Sequence, residues 1–117
     1  MDRDAIAAVV VDRSPEVELL VAEEDDEVVG FVHVRTVTDY YTQTPIGHVS
    51  DVVVAAMAQG KGVGHALIER AQAWARTCGY PMMQLFVLPE NVGARTLYEH
   101  MGYRAERHKY VKMLSRE

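Results

Sequence analysis

Two early stretches of the chain alternate apolar and polar positions, and that two-residue period predicts strands. Val17 to Ala22 is the first, and Val28 to Val37, rich in β-branched residues, is its antiparallel partner. The acidic run between them, Glu23-Glu24-Asp25-Asp26-Glu27, reads as a solvated hairpin turn. A polar loop from Thr38 to Pro45, holding Tyr40 and Tyr41, leads to a third strand, Ile46 to Ala55. The period then changes. Val63, Leu67, Ala71, Trp74 and Cys78 recur every three to four residues and give one apolar helix face. Gly79 ends that helix and Pro81 prevents its continuation. Met82 to Val87 reads as a strand parallel to the third one, because a helix intervenes. A second helix runs from Val92 to Met101 and stops at Gly102. Tyr103 to Ala105 and Tyr110 to Leu114 read as a closing antiparallel pair. Before all of these, Asp4 to Val11 has the pattern of a short, weakly amphipathic helix ended by Ser14-Pro15. The order is (α)βββαβαββ, an α+β sandwich with one parallel crossover at its centre. With no linker or repeat to divide it, residues 1–117 read as a single domain.

Composition narrows the classes. At 49% apolar the chain is globular rather than disordered, and its apolar runs are far too short to span a bilayer. Met1-Asp2-Arg3-Asp4 lacks the basic and apolar regions of a secretory leader, so a cytoplasmic location is expected. The one cysteine, Cys78, excludes an internal disulfide and is expected to be a buried packing residue near a helix end. A net charge of −5 opposes broad nucleic-acid binding and weakly suits a cationic partner such as an amine. His65, His100 and His108 show no metal-ligand spacing among themselves or with Cys78, so no metal is expected.

Candidate chemistry concentrates in Gln59-Gly60-Lys61-Gly62-Val63-Gly64-His65-Ala66, between the apolar run Val52-Val53-Val54-Ala55-Ala56 and the amphipathic helix. A strand turning through glycines into a helix leaves N–H groups unpaired at the helix start, where the helix dipole is positive. Such a turn suits a phosphate-bearing ligand, and glycine lets it approach with no Cβ in the way. The nucleotide P-loop fits poorly, because Lys61 is followed by glycine rather than Ser or Thr. The dinucleotide fingerprint fits poorly too. Its glycine spacing differs from Gly60-x-Gly62-x-Gly64, and Met82–Val87 is not followed at once by the acidic residue that binds ribose.

Gln59-x-x-Gly62-x-Gly64 instead resembles the acetyl-CoA pyrophosphate loop of the Gcn5-related N-acetyltransferases. A second stretch is similar to that family's other signature: Asn91, the small Ala94 three residues on, Tyr98 four further, then Gly102 and Tyr103. The two motifs stand in the family's order, and the resemblance covers roughly residues 17–114. It departs at the start, where it implies an additional first strand and two helices before the hairpin. Only the residues before Val17 are available for them, so a shortened N-terminal region is expected.

The resemblance implies acetyl transfer from acetyl-CoA directly to a primary amine of a small molecule or protein. It implies that the Val52, Val53 and Val54 backbone pairs with the pantetheine arm, and that an N–H near Val54 polarises the thioester carbonyl. Gln59, Gly60, Lys61, Gly62, Val63, Gly64 and His65 would form the pyrophosphate loop. Met82–Val87 would splay from the third strand to open a cleft. Tyr98 is the candidate acid for the leaving thiolate, or a helix tyrosine packing on the cofactor. With a phenol pKa of about 10 against about 8.5 for a thiol, donation is not strongly driven. Asn91 is expected to cap its helix, and it and Ala94 to border the cofactor. Where many relatives carry a strand glutamate this chain has Ser50. Asp51 is expected on the opposite face, and His48 on the face of Ser50. His48 is then either a base acting through water or a strand histidine satisfied by its neighbours. Ser50 and the short N-terminus leave a second reading open, a non-catalytic acyl-CoA-binding sensor or partner module. A homodimer is expected, since free strand edges and exposed apolar surface favour association.

Overall fold

The computed structural model describes residues 7–14 and 17–115. Five strands form one sheet in chain order: β1 (Ala7–Ser14), β2 (Val17–Glu24), β3 (Glu27–Thr38), β4 (Pro45–Val54) and β5 (Met83–Gln84). The first four pair antiparallel, and β5 joins β4 in parallel after helix α1 (Val63–Thr77). A second helix, α2 (Val92–His100), follows. The chain divides into two compact units, residues 1–86 and 87–117. The sheet with α1 forms the first, and α2 with the C-terminal segment the second.

Local chemistry accounts for the hairpins. Asp25 and Asp26 both take positive φ (52° and 66°), the backbone of a two-residue turn whose twist suits the flanking strands. Between β3 and β4, the buried Asp39 accepts at Oδ2 from the Thr42 N–H and hydroxyl (2.9 Å each), while its own N–H donates to the Thr44 carbonyl (2.8 Å).

The core lies between α1 and one sheet face. Val63, Leu67, Ile68, Ala71, Trp74 and Ala75 of α1 bury against Leu20, Ala22, Val32, Val34 and Val49. α1 ends in a two-bond cap. The Gly79 N–H donates to the Arg76 carbonyl (2.9 Å), and the Tyr80 N–H to that of Ala75 (3.0 Å). Gly79 takes φ 81°, a conformation that disfavours side chains with a Cβ. Trp74 and Tyr80 then meet edge to face at 5.8 Å, and the Tyr80 hydroxyl shares a hydrogen bond with Thr36 of β3 (2.5 Å).

Four expectations need correction. The N-terminal helix expected over Asp4–Val11 is a strand from Ala7 onward; residues 1–6 lie outside the described residues. A run of three valines prefers an extended backbone, and β2 supplies a partner edge that outweighs a weak helical pattern. The first strand thought to be missing is therefore present, and two residues separate it from β2. The strand expected over Met82–Val87 shrinks to Met83–Gln84, because β4 pairs with it at only two positions. The closing pair, Tyr103–Ala105 and Tyr110–Leu114, does not form. Residues 103–115 contain no strand, and Tyr110, Val111, Met113 and Leu114 are exposed. Alternation supplies a strand period, but a hairpin without a face to bury is marginal in water. Cys78 is exposed, since the helix ends there and its apolar stripe stops one turn earlier at Trp74 and Ala75.

Candidate active site

Beyond β4 the chain makes a short 3-10 turn, Ala56–Ala58, and then the glycine loop. The Gln59 side-chain amide donates back to the Val54 carbonyl (3.3 Å), tying the loop to the end of β4. Gly60 and Gly62 take φ of 78° and 84°, left-handed values that favour glycine. A Cβ built on Gly60 meets nothing within 4 Å, so the loop presents open backbone there. Gly62 occupies the cap position of α1 with no side-chain cap, and no acidic residue stands in the first helical turn. The Ala66 N–H closes the first helical bond, to the Gly62 carbonyl (3.0 Å). An uncapped helix start preceded by left-handed glycines is an arrangement that can hold an anionic group. His65 lies in that first turn and pairs with Glu69 one turn along.

Val52, Val53 and Val54 end β4. On one side they pair with Val32, Phe31 and Gly30 of β3. On the other side β5 pairs only through Gly47–Met83 and His48–Gln84. Past His48 no strand among the described residues takes that edge of β4, so its backbone is open to a ligand that pairs like a strand.

At that junction the sheet carries a bulge. Val34 pairs with Val49, but the preceding His33 pairs with Asp51, which leaves Ser50 as an extra residue. Registered partners share a face, and His33 and Arg35 alternate onto one face of β3. Their partners Asp51 and His48 therefore share it too. This corrects the expectation that Asp51 points away from His48, which assumed unbroken alternation. The Ser50 hydroxyl accepts from the Arg35 Nε–H (3.1 Å), so it is already engaged by a cation.

His48 is 6% exposed. Its Nδ1 lies 3.1 Å from the Gln84 side-chain nitrogen, and its ring lies 5.5 Å from that of Phe86. Burial, and secondarily the Arg35 guanidinium, hold its pKa below the ordinary histidine value, which favours the neutral ring. Phe86 itself is 82% exposed. Sequence reasoning missed Gln84, Arg35 and Phe86. The available signal was a single amide inside the apolar run Met82-Met83-Gln84-Leu85-Phe86.

In the second unit Asn91 caps α2, its Oδ1 accepting from the Ala94 N–H (3.2 Å). Arg95 donates to the Pro89 carbonyl (2.9 Å) and fixes the approach to the helix. Tyr98 is buried against Tyr103, ring to ring at 5.9 Å. Burial first, and Tyr103 second, raise its pKa above the ordinary phenol value, so it stays protonated across the neutral range. Among the described residues no cluster of three His, Cys, Asp or Glu side chains could hold a metal ion.

The model of the acetyltransferase (GNAT) family matches residues 2–103. The chain belongs to that family. It is 35% identical over 98 residues to the aminoglycoside N(6')-acetyltransferase type 1 of Stenotrophomonas maltophilia, covering 80% of this chain and 64% of that protein, less than two thirds of its length. Among solved structures, the ribosomal-protein-alanine N-acetyltransferase from Brucella melitensis superposes with a TM-score of 0.70 at 28% identity, over 89% of this chain and 76% of the other. AAC(6')-Iy, in complex with the bisubstrate analogue CoA-S-monomethyl-acetylneamine, superposes with a TM-score of 0.77 at 21% identity, over 87% and 72% of the two chains. The last likeness concerns the fold, the mixed α+β sheet that this GNAT chain shares.

Proposed function

We propose that this protein is an acetyl-CoA-dependent N-acetyltransferase that moves the acetyl group directly to a primary amine of a small molecule or protein. The observation that carries the reading is the union, within one sheet-and-helix unit, of a left-handed glycine loop opening an uncapped helix with a β4 edge released by β5 beyond His48. The first suits a pyrophosphate and the second a pantetheine arm. Relatives named for aminoglycoside, aminoalkylphosphonate and ribosomal-protein-alanine acetylation support an amine acceptor without selecting one.

In this reading the amine nitrogen attacks the thioester carbonyl carbon and the carbonyl becomes an oxyanion. The C–S bond then breaks as the carbonyl re-forms. The departing thiolate takes a proton, an acid role that the resemblance of the Asn91–Tyr103 motif gives to Tyr98, and the amine gives its own proton to water. Holding both reactants in line supplies much of the acceleration, and donors aimed at the oxyanion supply more. His48 and Ser50 are the β4 side chains assigned to the reacting end. The exposed Tyr40, Tyr41, Tyr110 and Leu114 support a homodimer as part of the same reading.

One observation favours a second reading, a non-catalytic acyl-CoA-binding module: Ser50 stands at the β4 bulge with its hydroxyl committed to Arg35, and no carboxylate occupies that position. Thiol release from acetyl-CoA across a panel of amines, run beside calorimetric CoA binding, separates the two. Release with at least one amine supports the enzyme. Tight CoA binding with no release from any amine supports the module.

A further inference from the structure

His48 stands at the last pairing position between β4 and β5, where the two strands part. The atom facing its Nδ1 is the side-chain nitrogen of Gln84 (3.1 Å). An amide nitrogen gives hydrogens and offers no lone pair, so it donates and Nδ1 accepts. A ring nitrogen that accepts carries no proton. The neutral ring then keeps its single proton on Nε2, which becomes a donor with no lone pair to act as a base.

The surroundings keep the ring neutral. Burial comes first; second, the guanidinium of Arg35, its register partner on β3, opposes a further positive charge. From its own strand Asp51 shares its face, with His33 opposite Asp51; from the β5 side Gln84 and Phe86 enclose it. Among the described residues Gln84 is the ring's one hydrogen-bond partner, which leaves Nε2 to solvent or a ligand.

We propose that Gln84 is a positioning residue that holds His48 in the Nε2–H tautomer, so that His48 serves the cleft as a neutral hydrogen-bond donor to a carbonyl oxygen of the acyl-thioester arm and not as a base. Only the identity of that oxygen rests on the acetyltransferase reading; the tautomer stands independently of it. Gln84 is the residue type this role requires. A carboxylate there has no hydrogen to give and forces the proton onto Nδ1, whereas an aliphatic side chain leaves the tautomer unselected.

The first measurement is long-range proton–nitrogen NMR on the full, isotopically labelled chain, above the ring's ordinary pKa, with His48 assigned by its loss in His48→Gln. The expected wild-type pattern is a protonated Nε2 and a bare Nδ1, and Gln84→Glu is expected to move the proton to Nδ1 or to charge the ring. A wild-type Nδ1–H overturns the proposal, and a neutral ring that keeps its proton on Nε2 with Nδ1 bare in Gln84→Glu overturns the role of Gln84. Neither result depends on turnover, so failure here is distinct from failure of the acetyltransferase reading. The second measurement is kcat/KM with an amine that supports thiol release. The glutamine of His48→Gln carries an N–H donor near the Nε2 position but cannot act as a base. It is expected to exceed His48→Ala by about 10-fold or more, within the range of a lost polarising donor. Equal loss in both variants, with a wild-type acid limb in the pH profile that disappears in both, makes His48 a base and overturns the assignment.

Discussion

Gly30 of the sheet lies against Val63 and Leu67 at the start of α1, and Gly30→Ala tests whether that contact sets the geometry of the loop. Gly30 pairs with Val54 in the β3–β4 ladder, and α1 lies over it. A Cβ added there would stand 2.7 Å from the Val53 carbonyl oxygen, 3.2 Å from Leu67 Cδ1 and 3.3 Å from Val63 Cγ1. The first neighbour is backbone and cannot rotate aside, so either β4 or the first turn of α1 must move. Inserting a methyl group into a packed core of this kind costs about 1–3 kcal/mol. For a chain of this size that corresponds to a Tm lower by roughly 5–15 °C. Urea unfolding is the assay, read as a fall in midpoint at unchanged slope. Gly93→Ala is the control. Gly93 lies in α2, a Cβ there meets nothing within 4 Å, and the change is expected to stabilise by roughly 0.5–1 kcal/mol through helix propensity. Because Val63 directly follows the left-handed Gly62, Gly30→Ala is also expected to weaken CoA binding in the folded fraction. A midpoint equal to or above wild type would refute the argument, because it would mean that helix and sheet can separate at no cost.

Gly62→Val places a β-branched side chain at φ 84° in the loop; it is expected to weaken CoA binding far more than binding of the dephosphorylated pantetheine fragment, and equal calorimetric losses would remove the pyrophosphate from this loop. Tyr98→Phe is expected to lower kcat by about 10- to 1,000-fold with acetyl-CoA affinity little changed, and unchanged turnover where chemistry limits the rate would reduce Tyr98 to packing. His48 has a folded-state pKa depressed below its unfolded value, so its contribution is fully present above about pH 6.5 and is lost as pH falls through the folded value; a melt series should show that acid loss diminished in His48→Gln, and an identical loss in both proteins counts against a buried neutral ring. Light scattering at micromolar concentration is expected to give twice the 13.1 kDa chain mass, and a folded monomer would exclude the homodimer.

What the sequence by itself determined is what local chemistry controls. The two-residue period marks β2 and β3, and the three-to-four period marks the buried stripe of α1. The acidic run Glu23–Glu27 marks a hairpin turn, which the structure narrows to Asp25-Asp26, Gly79 marks the end of α1, and Asn91 the start of α2. Each is decided by a few neighbouring residues and their preferred φ and ψ, so each can be read without knowing the rest of the chain. Tertiary structure decided whatever depends on a partner strand. Ala7–Val11 is extended because β2 offers an edge, and Tyr110–Leu114 is not a strand despite its alternation. The bulge at Ser50 follows from the pairing of β3 with β4, and a single extra residue there reverses the face of everything beyond it, Asp51 included. The same register brings His48, Arg35 and Gln84 together from three strands, the last of them 36 residues further along the chain than His48. Residue type suggested a histidine with a role, but its lowered pKa comes from burial first and then from a guanidinium, both of which only the register of the sheet supplies.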